Sequence, residues 1–202
     1  MAAIALLAAA CASDRAGGPG AERLRYADSR TDWSRPVDFG ELRREYGERD
    51  DFARRCEEGQ PIAAAAAAFA QQQWSEVLAV ATPFLDRCPV DMDFHYLRSV
   101  ALSSLGREAE SMQHQHWRHG LLESVLRSGD GASAASPWVV ISVGEEYAVL
   151  RALGLERESQ ALVEGGVDAL SVSDEDGARS VVYFAPRAHF ARLRRALERA
   201  AP

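Results

Sequence analysis

Between residues 128 and 155 the sequence reads SGDGASAASPWVVISVGEEYAVLRALGL. Ser128-Gly129-Asp130-Gly131 has the composition of a helix stop. Its two glycines supply left-handed backbone, and Asp130 offers a carboxylate to nearby amides. Residues 137–141, PWVVI, predict a short strand buried on both faces. Ser142-Val143-Gly144-Glu145 then has the spacing of a capping box, with Ser142 at the N-cap and Glu145 at N3 satisfying two free amides reciprocally. Tyr147, Ala148, Leu150 and Leu153 make the inward stripe of that helix, and Gly154 stops it. The chain before this stretch has helical spacing and the chain after it mostly strand spacing, so 128–155 is the junction of an α+β fold.

Upstream, Phe39, Leu42 and Tyr46 share one helical face. Residues 47–60 form a polar stretch, and Pro61 is placed to start a helix. Residues 63–69 predict a small-residue helix, joined through Gln71-Gln72-Gln73 to a second helix that runs from Trp74 to Pro89. An aromatic residue followed by small or apolar residues at three- and four-residue steps and a closing Pro resembles the second helix of a tetratricopeptide repeat. Asp91 caps a further pair, residues 92–105 and 107–127, turning at Gly106. Two hairpins are too few for a free-standing solenoid, so they are expected to pack on the unit that follows. That unit is an antiparallel meander over 160–164, 167–173 and 179–185, with Gly165-Gly166 and Asp174-Glu175-Asp176-Gly177 at its turns. Residues 187–200 predict a closing helix over the sheet, with Phe190, Leu193 and Leu197 on one side and five Arg against one Glu.

A net charge of −7 disfavours nucleic acid and anionic membrane as partners, and all 23 basic residues are Arg. Residues 1–11, MAAIALLAAAC, are too short to span a membrane and fit the apolar region of a secretory signal. The LAAAC ending resembles a bacterial lipobox, although Ala8 stands where Leu is commonest and no basic residue precedes the run. Cleavage before Cys11 would leave its thiol as the lipidation site. Residues 12–36 would then be a flexible tether, 37–127 the helical region and 128–202 the mixed region. Ala12, rather than Asp, implies sorting to the outer membrane. The expected setting is the periplasmic face of a bacterial envelope. Cys56 and Cys88 fall at neighbouring ends of an antiparallel helix pair, where they are either a disulfide or two buried thiols.

Five residues have chemistry that local structure does not fully use: His95, His114, Asp130, Glu146 and Tyr147. Antiparallel pairing about Gly106 brings His95 toward Arg118 and His119, and a His95–His119 pair would suit a transition metal. No thiol or carboxylate completes such a site and the HxxxH spacing is absent, so neither a metal nor another cofactor is expected. Glu145 and Glu146 are adjacent on a helix and point about 100° apart, poorly placed as paired acid and base. The Gly-rich turn lacks the Lys and spacing of a phosphate-binding loop.

The segments VDFGELRREY, HYLRSVALSSLG, GLLESVLRSGDG, VVISVGEEYAVLRALGL and VVYF, in that order, resemble the bacterial family named domain of unknown function 4919. The resemblance covers residues 37–185. It implies a short secreted or lipid-anchored protein, with recurring polar positions at His95, His114, Ser128, Asp130, Glu145, Glu146 and Tyr147, and it implies no activity. The expected function is a non-enzymatic module that holds a protein or peptide. The alternative is a periplasmic hydrolase or metal-dependent enzyme at the junction, which requires His95, His114, Asp130, Glu146 and Tyr147 to converge.

Overall fold

The computed structural model describes residues 30–59 and 61–200. The signal and lipobox segment, Cys11 and the tether up to residue 29 lie outside the described residues. Helix α1 (Phe39–Glu48) starts at Asp38, whose carboxylate accepts the Glu41 amide at 2.9 Å. A π-helical turn (Ala53–Glu57) follows, then α2 (Ile62–Ala70), α3 (Trp74–Arg87), α4 (Met92–Ser104) and α5 (Glu108–Leu126). Asp91 caps α4 by accepting from the Phe94 amide at 3.0 Å. The second half contains β1 (Trp138–Val139), α6 (Val143–Ala152), β2 (Glu156–Val163), β3 (Val167–Ser173), β4 (Arg179–Ala185) and α7 (Arg187–Ala200).

The sheet order is β1-β4-β3-β2, so among the described residues β2 is an edge strand with β3 as its single neighbour. Strands β2, β3 and β4 form the antiparallel meander, and β1 runs parallel to β4 with Trp138 opposite Phe184. The pairs Leu170–Val182 and Asp168–Phe184 place these four side chains on one face, all of them buried. The helical hairpins and the sheet share one apolar core, in which Leu97, Leu102 and Trp117 belong to the same cluster as Val149, Leu170 and Phe184. Helix α6 contacts both α4 and β2, and α4 packs on α5. The fold is α+β, with helical hairpins against a small mixed sheet.

Several expectations change. Trp33 is 5% exposed and its carbonyl accepts the Trp117 indole N–H at 2.7 Å, so residues 30–36 are docked on the core rather than free as a tether. The polar stretch 47–60 contains the π-helical turn, with Phe52 and Cys56 buried. Cys56 and Cys88 are joined in a disulfide with their Cα atoms 5.3 Å apart, tying this turn to the end of α3. Closing its loop stabilises by roughly 3–4 kcal/mol in the loop-entropy account. The PWVVI strand shrinks to Trp138 and Val139, both half-buried. The Val140 amide still reaches the Ala185 carbonyl at 3.2 Å, but the Ile141 amide turns to the Glu145 carboxylate at 2.8 Å and the ladder stops.

Helix α7 does not cap the sheet through its apolar side. Leu193 and Leu197 are 49% and 64% exposed, and the helix packs on α1. Carbonyls at the C-terminus of α1 lack intrahelical partners, and arginines supply the donors. Arg192 donates to the Gly47 carbonyl and stands 4.0 Å over the Phe52 ring, while Arg195 donates to the Glu48 carbonyl at 3.0 Å.

In the turn after α5, Gly131 has φ 67° and adopts the left-handed backbone expected of it. Gly129 is required for another reason. A Cβ there would lie 2.4 Å from the Pro137 carbonyl oxygen and 2.6 Å from that of Ser136, and neither is free to move. Gly129→Ala is therefore expected to destabilise the protein by about 1–3 kcal/mol, measured as a lower urea midpoint at unchanged slope.

Candidate functional site

The two halves of the chain leave a groove of about 640 Å³ between them. Ile62, Ala66 and Phe69 of α2 face Met92, Tyr96 and Leu97 of α4, and Tyr147 and Ala148 of α6 complete the wall. The disulfide and Phe52 line it as well. An ion pair between Asp93 of α4 and Arg151 of α6, with the Arg151 Nε 3.1 Å from the carboxylate, ties these two walls together. Its lining is mostly apolar with a few polar groups, the composition expected of a site that anchors side chains.

The position of α6 is set by its first turn. Ser142 accepts the Glu145 amide at 3.1 Å, as the capping box predicts. The return bond of that box is not made to Ser142. Instead the Glu145 carboxylate accepts the Ile141 amide and forms a two-pronged pair with Arg43 of α1, both contacts at 2.8 Å. Arg43 also donates to the Val139 carbonyl at 2.9 Å and to the Ser124 hydroxyl at 3.2 Å.

Glu146, the next residue, is completely buried and turned away from the groove, toward Asp168 of β3. Among the described residues neither of its oxygens has a hydrogen-bond donor, and an ionised Asp168 carboxylate has none to offer. Burial, then the charge of Asp168, then that of Glu145 push its carboxyl up to about 8. Below that pH a proton on Glu146 supplies the donor this pair otherwise lacks.

His95 and His114 meet in the core, Nδ1 to Nδ1 at 2.8 Å. The His95 Nε2 lies 3.0 Å from the Pro89 carbonyl and must donate to it. With both rings neutral, His95 Nδ1 is then the acceptor and His114 Nδ1–H the donor. Trp33 packs on both rings, with centroids 5.1 and 5.0 Å away, and Trp117 stacks on His95 at 5.4 Å. Burial lowers His95 to about 3. It also holds His114 well below the usual imidazole range, with the charges of His95 and Arg98 acting in the same direction. The expected approach of His95 to His119 is thus corrected. In the observed register Ser111 donates to the Ser99 carbonyl at 2.8 Å, so residue 114 faces residue 95. His119 lies outside, in a second cleft of about 450 Å³ with Arg118, Tyr96 and Gln115.

Asp130 is exposed, and its carboxylate accepts the Ala132 amide at 2.8 Å, a turn-forming role. Tyr147 lines the groove and donates to the Gln160 side chain at 3.0 Å. Of the five candidate residues, only His95 and His114 share a site, and only Tyr147 reaches the groove. Among the described residues no group of three or more His, Cys, Asp or Glu is disposed to hold a metal ion, and no helix is long and apolar enough to cross a membrane.

The profile of the family described as a domain of unknown function, DUF4919, matches residues 44–190. The chain belongs to this family. No curated protein and no solved structure matches it. The DUF4919 span contains all five candidate residues and the groove lining, while Arg43 and Trp33 lie just ahead of it. Sequence reading did not find Arg43, Trp33 or Asp168. Arg43 sits in a charged helical run with nothing local to mark it as buried, and Asp168 is the single charged residue of its strand, which was a usable signal.

The buried titrating groups set opposite limits on stability. Glu146 titrates at about 8 when folded against an ordinary 4.5, so its contribution is complete below the ordinary value and is lost as pH rises through 8. The histidines lie below their ordinary 6.5, so theirs is present above that value and lost as pH falls. Thermal melts across pH are expected to peak near neutrality. Glu146→Gln should flatten the alkaline side and gain roughly 1–3 kcal/mol at about pH 9; an unchanged alkaline limb would show that Glu146 does not titrate there.

Proposed function

We propose that this DUF4919 chain is a non-enzymatic protein- or peptide-binding module of the bacterial cell envelope, and that the groove between α2, α4 and α6 is its binding surface. The observation that carries this reading is the composition of the groove. Its two cysteines are bonded to each other, Ser142 and Asp91 are engaged as helix caps, Asp93 is paired with Arg151 and Glu145 with Arg43, and the rest is apolar apart from Glu57 and the hydroxyls of Tyr96 and Tyr147. Nothing in that lining pairs a nucleophile with a base. A hydrolase at the same junction would need His95, His114, Asp130, Glu146 and Tyr147 to converge, and of these Tyr147 alone lines the groove.

Ala66 is exposed on the α2 wall, so a larger side chain there fills the groove without entering the core. Peptides selected from a random display library against the full chain should lose at least about tenfold in affinity on Ala66→Trp, at an unchanged melting temperature. Binders indifferent to this variant would remove the groove from consideration.

The envelope setting follows from the lipobox-like LAAAC ending at Cys11 and the apolar run before it. Lipidation there would anchor the module at the periplasmic face, with outer-membrane sorting implied by Ala12. Expressed in a bacterial host, the wild-type chain should sediment with membranes and incorporate labelled palmitate, and Cys11→Ser should do neither. Membrane retention of Cys11→Ser would argue against a lipid anchor.

A further inference from the structure

We infer that the groove takes an apolar peptide segment with a basic side chain, Arg or Lys, beside its apolar anchor, and that Glu57 receives that cation. This rests on the groove being a binding surface and adds the chemistry of its occupant.

The charged residues of the groove are Glu57, Asp91, Asp93, Glu145 and Arg151, four carboxylates against one guanidinium. Three of the four are already matched. Glu145 is held by Arg43, which does not line the groove, and its side chain is 4% exposed. Asp93 is paired with Arg151. Asp91 accepts the Phe94 amide as the cap of α4, where the helix dipole offsets its charge. Because Arg151 is committed to Asp93, a carboxylate on a ligand meets no uncommitted cation among the described residues of the wall.

Glu57 has no such match. It ends the π-helical turn next to Cys56, is exposed, and its carboxylate accepts no hydrogen bond among the described residues. Arg192 stands 3.9 Å from it, beyond hydrogen-bond reach, and donates instead to the Gly47 and Ile141 carbonyls. The Cys56–Cys88 disulfide braces the backbone beside Glu57, so the carboxylate is presented from a fixed position. Phe52, Ile62 and Phe69 supply apolar wall to the same groove. An Arg or Lys side chain suits this combination, because its methylene stem lies along apolar surface while its head reaches a carboxylate. The net charge of −7 acts in the same direction by raising the local concentration of cationic segments.

The test uses three fluorescein-labelled synthetic peptides that share an Ala-Leu-Phe-Leu-Ala middle and carry two Arg, two Gln or two Glu on each side. Anisotropy titrations with the full chain at low salt should rank them Arg over Gln over Glu, with the Arg peptide about fivefold tighter than the Gln peptide and this margin shrinking with added salt. Glu57→Gln should bring the Arg peptide to within about twofold of the Gln peptide and leave the Gln peptide unchanged. Glu175→Gln, an equal change of net charge in the exposed turn between β3 and β4, should keep the ranking and its margin. A margin that survives Glu57→Gln, or that Glu175→Gln removes equally, would assign the preference to the charge of the whole protein and overturn the inference. Equal affinities for the three peptides, all lost on Ala66→Trp, would overturn the basic-ligand inference and leave the groove standing. Absence of binding by all three, or binding that ignores Ala66→Trp, would overturn the groove itself. A concentration-dependent dimer in light scattering that Ala66→Trp dissolves would assign the groove to a second copy of the chain and overturn the peptide reading.

Discussion

Arg43 and Glu145 are 102 residues apart in sequence, and their side chains are almost wholly removed from water. Burying two opposite charges costs several kcal/mol per ion, and their mutual attraction compensates only when geometry is good and the remaining donors and acceptors are filled. Here three further groups fill them: the carboxylate takes the Ile141 amide as well as both prongs of the guanidinium, which in turn reaches the Val139 carbonyl and the Ser124 hydroxyl. The arrangement tolerates one relative placement of α1, α5, β1 and α6. The wall of the groove that α6 supplies, with Tyr147, Ala148 and Arg151, depends on that placement.

Directly beside this satisfied pair lies an unsatisfied one. Glu145 and Glu146 are neighbours in sequence and differ in fate because their side chains leave the helix in different directions, one toward Arg43 and the other toward Asp168. The first is paired with its cation, and the second is pushed toward its neutral acid form by burial and by a second carboxyl. The histidine pair at the other end of the core solves a similar problem without charge, since two neutral rings need one shared proton between them. The core therefore contains Glu146, His95 and His114, whose protonation is biased by burial, and none of these three lines the groove.

Much of this architecture was legible in the sequence because it depends on local spacing. Asp91 and Ser142 sit where caps must be, Gly106 and Gly154 where helices must turn, and the Gly165-Gly166 pair where a hairpin must reverse. What was not legible depends on which face of one element meets which face of another. A few residues of error in the α4–α5 register sent His95 toward His119, and with it the notion of a metal pair, when the true partner is His114. Trp33 lay in a polar stretch with no periodicity to mark it, yet its ring closes the aromatic cluster around both histidines. Arg43 was one of several arginines in a charged helix. Only tertiary packing distinguishes it from exposed Arg44.

The edge strand β2 shows how the fold meets other molecules when it is binding nothing. Among the described residues its outer backbone amides and carbonyls have no neighbouring strand, and a long exposed edge of this kind is a template on which a foreign strand can add and aggregation can begin. The strand begins Glu156-Arg157-Glu158, exposed and alternating in sign. An incoming segment must strip water from these charges before it can pair, and an apolar one offers nothing in return. The three charged residues that open the strand thus act as gatekeepers of this edge by making the wrong contact costly.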